Sequence, residues 1–92
     1  MIRAVILIRS GGRVPRAANR ATELKRIPSV TEAYPIFGRF DIVAFLEGRD
    51  VNELFKSASE TTKLDGVMSS ETLIEASESE ETQDYGRGPF SD

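Results

Sequence analysis

Residues 30–47 read VTEAYPIFGRFDIVAFLE, and this stretch decides the fold. Two apolar runs flank Gly38 and Arg39, and both contain many of the β-branched and aromatic residues that favour strands. Glycine at the first position of a two-residue loop is typical of a type II′ hairpin turn. We therefore predict a β-hairpin whose strands cover residues 30–37 and 40–47.

On the N-terminal side of the hairpin, the sequence predicts one strand and one helix. Residues 2–8 form a nearly continuous apolar run that contains β-branched residues, as expected of a buried strand. Residues 15–26 repeat apolar side chains at helical spacing, with proline in the first turn, where it is tolerated. Pro28 then ends this helix.

On the C-terminal side, the sequence predicts a second helix and a last strand. Asp50 is a good N-cap residue and Glu53 follows three positions later, which indicates a helix over residues 51–63. Residues 67–76 alternate in side-chain character and predict the fourth strand. The residues expected to form the buried face of the second helix are Val51, Leu54, Phe55 and Ala58.

The element order β-α-β-β-α-β is that of the ferredoxin-like α+β fold. Right-handed crossovers then give an antiparallel sheet with the strand order 4-1-3-2. The second strand lies at an edge in this order. Pro35 lies within that strand, and proline cannot donate a ladder hydrogen bond, so it independently favours an edge position.

The first and third strands are apolar on both of their faces. In residues 2–8 and 40–47, successive side chains that point to opposite sides are mostly apolar. The helices of one subunit can cover only one side of the sheet. We therefore expect the sheets of two copies to pair in a homodimer.

Composition bounds the chain to one small domain with restricted chemistry. It has 92 residues, with no cysteine and no histidine, which excludes disulfides, thiolate ligands and imidazole chemistry. Residues 1–74 carry 11 basic and 9 acidic side chains, a net charge of +2. Residues 75–92 carry 1 basic and 6 acidic side chains, a net charge of −5. We expect a folded domain over residues 1–76 and an acidic, flexible tail over residues 77–92.

No apolar run approaches the length of about 18 residues that a membrane span needs. The N-terminal apolar run is too short and wrongly flanked to be a signal peptide. We therefore expect a cytoplasmic protein that is not embedded in a membrane.

Catalytic groups are hard to find in the sequence. The serines have no histidine to activate them, the acids are scattered at helix caps and strand ends, and Gly11-Gly12 lacks the lysine of a phosphate-binding loop. We expect no enzyme activity, no cofactor and no metal site.

A binding site for a small metabolite fits the residues better. Gly38 lets a ligand approach the backbone, Arg39 can pair with a carboxylate, and Asp41 can pair with an ammonium group. Ser70 and Thr72 lie side by side on one face of the last strand and can hydrogen-bond to the same ligand. This combination suits a free amino acid. The alternative is that each residue only serves its own turn or strand.

Three motifs resemble the ligand-binding domain of the Lrp/AsnC (leucine-responsive/asparagine) regulators. They are Ile27-Pro28-Ser29-Val30, the corner at residues 34–43 (YPIFGRFDIV) and the strand at residues 66–74 (GVMSSETLI). The resemblance implies a βαββαβ domain that dimerises through its sheets and assembles into larger rings. It also implies that an amino acid or a related metabolite binds between dimers, beside the corner.

The resemblance carries over to particular residues. Gly38 and Asp41 match the family's glycine–aspartate corner, and Ser70 and Thr72 match its two threonine positions. Arg39 has no counterpart in the pattern. Phe37 and Phe40 depart from the usual threonine and tyrosine, and Ser70 from a threonine, which makes the identity of the ligand an open question.

Full regulators of this family begin with a helix-turn-helix domain, whereas this sequence begins at the first strand. The resemblance is therefore to a stand-alone form of the module. We expect it to sense an amino acid, to oligomerise, and to modulate transcription through a full-length helix-turn-helix relative, without contacting DNA itself.

Two other functions remain open from the sequence. One is a small enzyme of the dimeric α+β-barrel type, which shares the sheet pairing. The other is a nucleic-acid-binding protein that uses the arginine-rich first helix, since the first 26 residues hold 7 basic side chains against Glu23 alone.

Overall fold

A computed structural model describes residues 1–11 and 14–75 of the chain, with only the backbone described for residues 14–16. Six elements follow one another along the chain. They are β1 (Ile2–Ser10), α1 (Val14–Leu24), β2 (Val30–Pro35), β3 (Ile42–Gly48), α2 (Val51–Thr62) and β4 (Val67–Ile74). The predicted acidic tail, and Ala76 at the end of the predicted fourth strand, lie outside the described residues.

The sheet has the order β2-β3-β1-β4, and its neighbouring strands are antiparallel. This confirms the predicted ferredoxin-like α+β fold and its strand order. Pro35 ends β2, which is an edge strand, so the missing N–H group costs no hydrogen bond to a second neighbour.

The hairpin has the predicted register but a wider end. Pro35 pairs with Ile42, the register that a loop centred on Gly38 and Arg39 gives. The strands nevertheless stop two residues short of the predicted ends on each side, and the φ of Gly38 is 132°. A type II′ turn needs about +60° at this position, so that part of the prediction was wrong. Next to this turn, the Asp41 backbone bonds to Ile8 of β1 and to Ile36.

Both helices cover one side of the sheet, which we call the covered face. Its centre is formed by alternate residues of β1 and β3 together with Ala17, Ala21 and Leu24 of α1 and Leu54 of α2. The strand residues at this centre are Ala4, Ile6, Ile8, Ile42, Ala44 and Leu46, none more than 6% exposed. Small alanines on α1 let this helix approach the sheet closely.

Helix α2 begins as predicted and is rotated relative to the prediction. The Asp50 carboxylate accepts a hydrogen bond from Glu53 N at 2.9 Å, which confirms the N-cap. Leu54, Ser57 and Thr61 form the buried face, whereas Phe55 is 56% exposed. The predicted buried stripe was therefore wrong for Val51 and Phe55. Thr61 can be buried because its hydroxyl donates to Ser57 O at 3.0 Å.

Arg20 joins the two loops at one end of the sheet. Its guanidinium donates to Asp65 O at 2.9 Å and to Gly11 O at 3.0 Å. Gly66 has a φ of 91°, and a Cβ added there would collide with this guanidinium. Arg20 thus connects these two loops through two of its guanidinium nitrogens. No helix in the part of the chain that the structure describes is long and apolar enough to cross a membrane.

Candidate functional site

Asp41 is anchored at the point where β3 begins. Its carboxylate Oδ2 accepts a hydrogen bond from Ser10 N at 2.7 Å. Its backbone N–H donates to Ile8 O at 2.7 Å, and its carbonyl accepts from Ile36 N at 2.8 Å. The other carboxylate oxygen has no hydrogen bond to the described chain, and the residue is only half-buried. Asp41 can therefore fix the corner and still accept from a ligand.

The rest of the corner is open to solvent. A Cβ atom added at Gly38 would have no other atom within 4 Å, so the space beside this glycine is empty. Arg39 is exposed and forms no ion pair with the described residues. Phe37 is 90% exposed at the tip. The corner thus carries an exposed aromatic ring, a guanidinium without an ion pair to the described residues, and a carboxylate with one oxygen available. These groups are suited to contact another molecule.

Ser70 and Thr72 lie on β4, with β1 between them and the corner. Ser70 pairs with Ile8 and Thr72 pairs with Ile6, so both half-buried residues lie on the covered face. Asp41 bonds to Ile8 along the other edge of β1, the edge that pairs with β3. Two strand spacings, roughly 10 Å, therefore separate Asp41 from Ser70.

The structure thus brings the predicted site residues together in two groups. Gly38, Arg39 and Asp41 form one corner, whereas Ser70 and Thr72 form a second group across β1. A free amino acid is too small to contact the corner and Thr72 at once within one subunit. A site that uses both groups needs a second subunit to bring them together.

Sequence reasoning missed two partners of the corner. Ser10 supplies the N–H that holds Asp41, because β1 continues two residues beyond its predicted end. The Arg9 guanidinium lies 5.8 Å from the centre of the Phe40 ring, a cation–π distance. No local signal in the sequence links residues so far apart, so only the strand register could have revealed these contacts.

The side of the sheet away from the helices, the open face, is also apolar. Val5 pairs with both Phe45 and Leu73, and Leu7 pairs with Val43, so these residues share one side. Tyr34 on β2 pairs with Val43 and extends the patch, with its ring 6.0 Å from that of Phe45. Phe45 is 37% exposed and Leu73 47% exposed. A contiguous exposed apolar patch of this kind marks an interaction surface.

A charged pair lies at one end of the open face. Arg3 Nη2 lies 2.8 Å from Glu75 Oε2, and Arg3 N also donates to this carboxylate. These hydrogen bonds from Arg3 lower the pKa of Glu75 below its ordinary value. The pair borders a cavity of about 410 Å³ whose walls include Val5, Phe45 and Leu73.

Metal chemistry finds no support in the described part of the chain. Residues 1–11 and 14–75 contain no group of three or more histidine, cysteine, aspartate or glutamate side chains that could hold an ion. The corner has a single carboxylate, and that carboxylate already holds Ser10 N.

Residues 3–84 match the family model described as the Lrp/AsnC ligand binding domain. The chain belongs to the Lrp/AsnC ligand-binding domain family. The match covers the corner and β4, which contain both groups of predicted site residues. A search of curated proteins finds no match.

This chain spans most of the length of some solved structures of similar fold and about half the length of others. The Thermus thermophilus protein TTHA0845 is 34% identical, with a TM-score of 0.72 over 82% of this chain and 92% of that one. E. coli AsnC is 23% identical, with a TM-score of 0.70 over 83% of this chain and 51% of that one. The complex of the Neisseria meningitidis transcriptional regulator NMB0573 with L-Met is 18% identical, with a TM-score of 0.66, over 84% and 51%.

Proposed function

We propose that this chain is an amino-acid-sensing and oligomerisation module that acts in transcription regulation. The observation that carries the proposal is the match of residues 3–84 to a ligand-binding domain family. The regulator names of the structural neighbours support the regulatory setting. The scarcity of catalytic groups in the sequence favours a binding function over an enzymatic one.

The open face supports the oligomeric part of the proposal. Val5, Leu7, Phe45 and Leu73 lie at its centre. Burying one such side chain fully contributes roughly 1.5–3 kcal/mol. The same face of a second copy is the occupant that matches it best, because a two-fold axis brings apolar centre against apolar centre. The homodimer is then the unit from which larger assemblies form.

The corner supports the ligand part of the proposal. Asp41 has one carboxylate oxygen free for an ammonium group, and Arg39 can approach a carboxylate. Ser70 and Thr72 contribute from another subunit, because β1 separates them from the corner within one subunit. The N. meningitidis regulator in complex with L-Met is a precedent for an amino-acid ligand in a protein of this fold.

The regulatory part of the proposal requires a DNA-binding partner. Arg20 is engaged with two backbone carbonyls, which leaves the first helix with fewer cations for phosphate contacts than its sequence suggested. We propose that the module reaches DNA by co-assembly with a full-length helix-turn-helix relative in the cytoplasm. Bound amino acid then changes the stability of that mixed assembly.

A thermal-shift screen with each of the free amino acids tests the sensing function. A ligand present at about 100 times its dissociation constant adds roughly 2.7 kcal/mol to the stability of the form that binds it, which raises Tm measurably. Asp41→Asn should remove the response, because the free carboxylate oxygen is lost. Ser69→Ala, on the opposite side of β4 from Ser70, is the matched control and should keep it.

Light scattering with and without the active amino acid completes the test by measuring assembly. A screen in which no amino acid moves Tm would remove sensing from the proposal and leave only a scaffold. A response that survives Asp41→Asn would move the site away from the corner.

A further inference from the structure

A polar groove lies on the helical side of the molecule, away from the corner. It opens between the turn that follows α1 and the exposed side of α2, and its volume is about 380 Å³. Ser29 forms part of one wall, and Asn52, Lys56 and Glu60 form the other. A groove of this size accepts a molecule as large as an amino acid.

Two serines at the groove are nearly buried and lack side-chain partners. Ser29 is 6% exposed and Ser57 is 5% exposed. Neither hydroxyl forms a hydrogen bond to the described chain. In that part of the chain, every side-chain oxygen that is fully buried does have a hydrogen-bond partner, so these two oxygens are not fully buried. Both hydroxyls therefore reach solvent, and the groove is the cavity that the two residues line together. Nearly buried polar groups normally have partners, so a partner from outside the chain is expected here.

Charges of opposite sign lie along the same wall. Asn52, Lys56 and Glu60 are spaced by four residues on α2, so they share one stripe with steps of about 6 Å. Neither Lys56 nor Glu60 has an ion-pair partner within the described chain. Lysine four residues before glutamate is the weaker order for a helical pair, which helps to leave both charges available.

The other two charges of the groove belong to Arg49 and Glu53, which form a pair with each other. Glu53 accepts from Arg49 N at 2.6 Å, and its carboxylate lies 3.7 Å from Arg49 Nε. This pair lies at the N-terminal end of α2. Among the described residues that line the groove, it leaves the cation of Lys56 and the anion of Glu60 to meet a ligand.

We propose that this groove binds a small zwitterion, namely a free amino acid, at a site distinct from the corner. The ligand carboxylate pairs with Lys56 and accepts from the Asn52 amide, and the ligand ammonium group pairs with Glu60. The hydroxyls of Ser29 and Ser57 complete the polar contacts. The inference rests on the groove alone and stands or falls separately from the function proposed above.

Amide chemical shifts of ¹⁵N-labelled protein test the proposal. Glycine and L-glutamine are the zwitterionic probes, and glycinamide and acetate each carry one of the two charges. At constant ionic strength, both zwitterions should give saturable shifts in the amide signals of Ser29 and of residues 49–60. Acetate and glycinamide should give much smaller shifts at the same concentrations, because each leaves one charge of the groove unpaired.

Variants on one helix separate the groove from the general charge of the surface. Lys56→Gln and Glu60→Gln should each weaken glycine binding roughly tenfold or more, because each removes a charged contact. Ser57→Ala should weaken it several-fold. Lys63→Gln and Ser59→Ala lie on the same stretch of chain outside the groove and should change nothing.

Three outcomes would overturn the proposal. They are equal shifts with acetate or glycinamide, no saturable shift in residues 49–60 with either zwitterion, and full glycine affinity in Lys56→Gln. Asp41→Asn should leave the groove shifts intact. If Asp41→Asn removes only the ligand-induced shifts of residues 36–41, the groove shifts remain and the proposal for the groove stands.

Discussion

Ile6 and Leu7 are neighbours on β1 and lie on opposite faces of the sheet. Ile6 is 1% exposed on the covered face, whereas Leu7 is half-buried on the open face. The same contrast holds on β3, where Leu46 is 1% exposed and Phe45 is 37% exposed. Apolar residues of the same strand are thus buried when they point to the covered face and partly exposed when they point to the open face.

The contrast shows what the helices can and cannot do. Helices α1 and α2 both pack on one face, and no element of the described chain packs on the other. Strands that are apolar on both sides are a property of sheets covered on both sides. The open face is therefore an apolar surface that no element of the described chain covers. In the proposed dimer, the same face of a second copy covers it.

Ile6→Ala should have the largest effect of the changes considered, because it opens a cavity in the covered face. Substitutions of this type lower the free energy of unfolding by roughly 2–5 kcal/mol. Urea unfolding measured by circular dichroism gives the value. Leu7→Ala is the matched comparison and should mainly weaken subunit association. Equal losses in subunit stability for the two variants would remove the distinction between the faces.

Phe45→Glu should convert the proposed dimer into folded monomers, because it introduces a charge at the centre of the open face. Light scattering gives the mass, and circular dichroism shows whether the subunit stays folded. Phe55→Glu provides the control, since Phe55 is 56% exposed on α2, outside the open face. An unchanged mass for Phe45→Glu would mean that another surface holds the copies together.

The sequence was sufficient to predict the fold because its signals agree with one another. The strand order, the edge position of β2 at Pro35 and the N-cap at Asp50 are all as predicted. The rotation of α2 was wrong because hydrophobicity alone favours burying Phe55. The structure instead buries Thr61, whose hydroxyl finds a partner within its own helix.

The candidate site was predictable only in part. Gly38, Arg39 and Asp41 form a corner that local sequence reveals, whereas the anchor from Ser10 N depends on strand register. The sequence placed Ser70 and Thr72 beside the same ligand. The predicted strand order already puts β1 between them and the corner, and the structure has the same order. What the sequence does not give is whether a second subunit brings the two groups to one ligand.

Asp41→Ala should have an intermediate effect on stability. The change removes a charge-assisted hydrogen bond to Ser10 N, and such bonds contribute about 1.5–3 kcal/mol, with the lower end expected at a half-buried site. Asp41→Asn retains an acceptor and should lose less. Thermal unfolding of both variants measures the difference. Equal stability of Asp41→Ala and the unchanged protein would show that the corner is not held by this carboxylate.

Glu75→Gln should have the smallest effect and should depend on pH. The pKa of Glu75 is lowered in the folded state from its ordinary value of 4.5, so its stabilisation is present above that value. The stabilisation is lost as the pH falls through the lowered pKa. Tm measured between neutral and acid pH should therefore differ between the variant and the unchanged protein only on the neutral side. A constant difference in Tm at every pH would contradict this assignment.

The mass of the unchanged protein in solution tests the central claim most directly. One chain has a mass of 10.2 kDa. Light scattering at micromolar concentration should give twice that mass or a larger even multiple, because the proposed dimer buries the open face between copies. A folded, stable particle with the mass of a single chain would contradict the account.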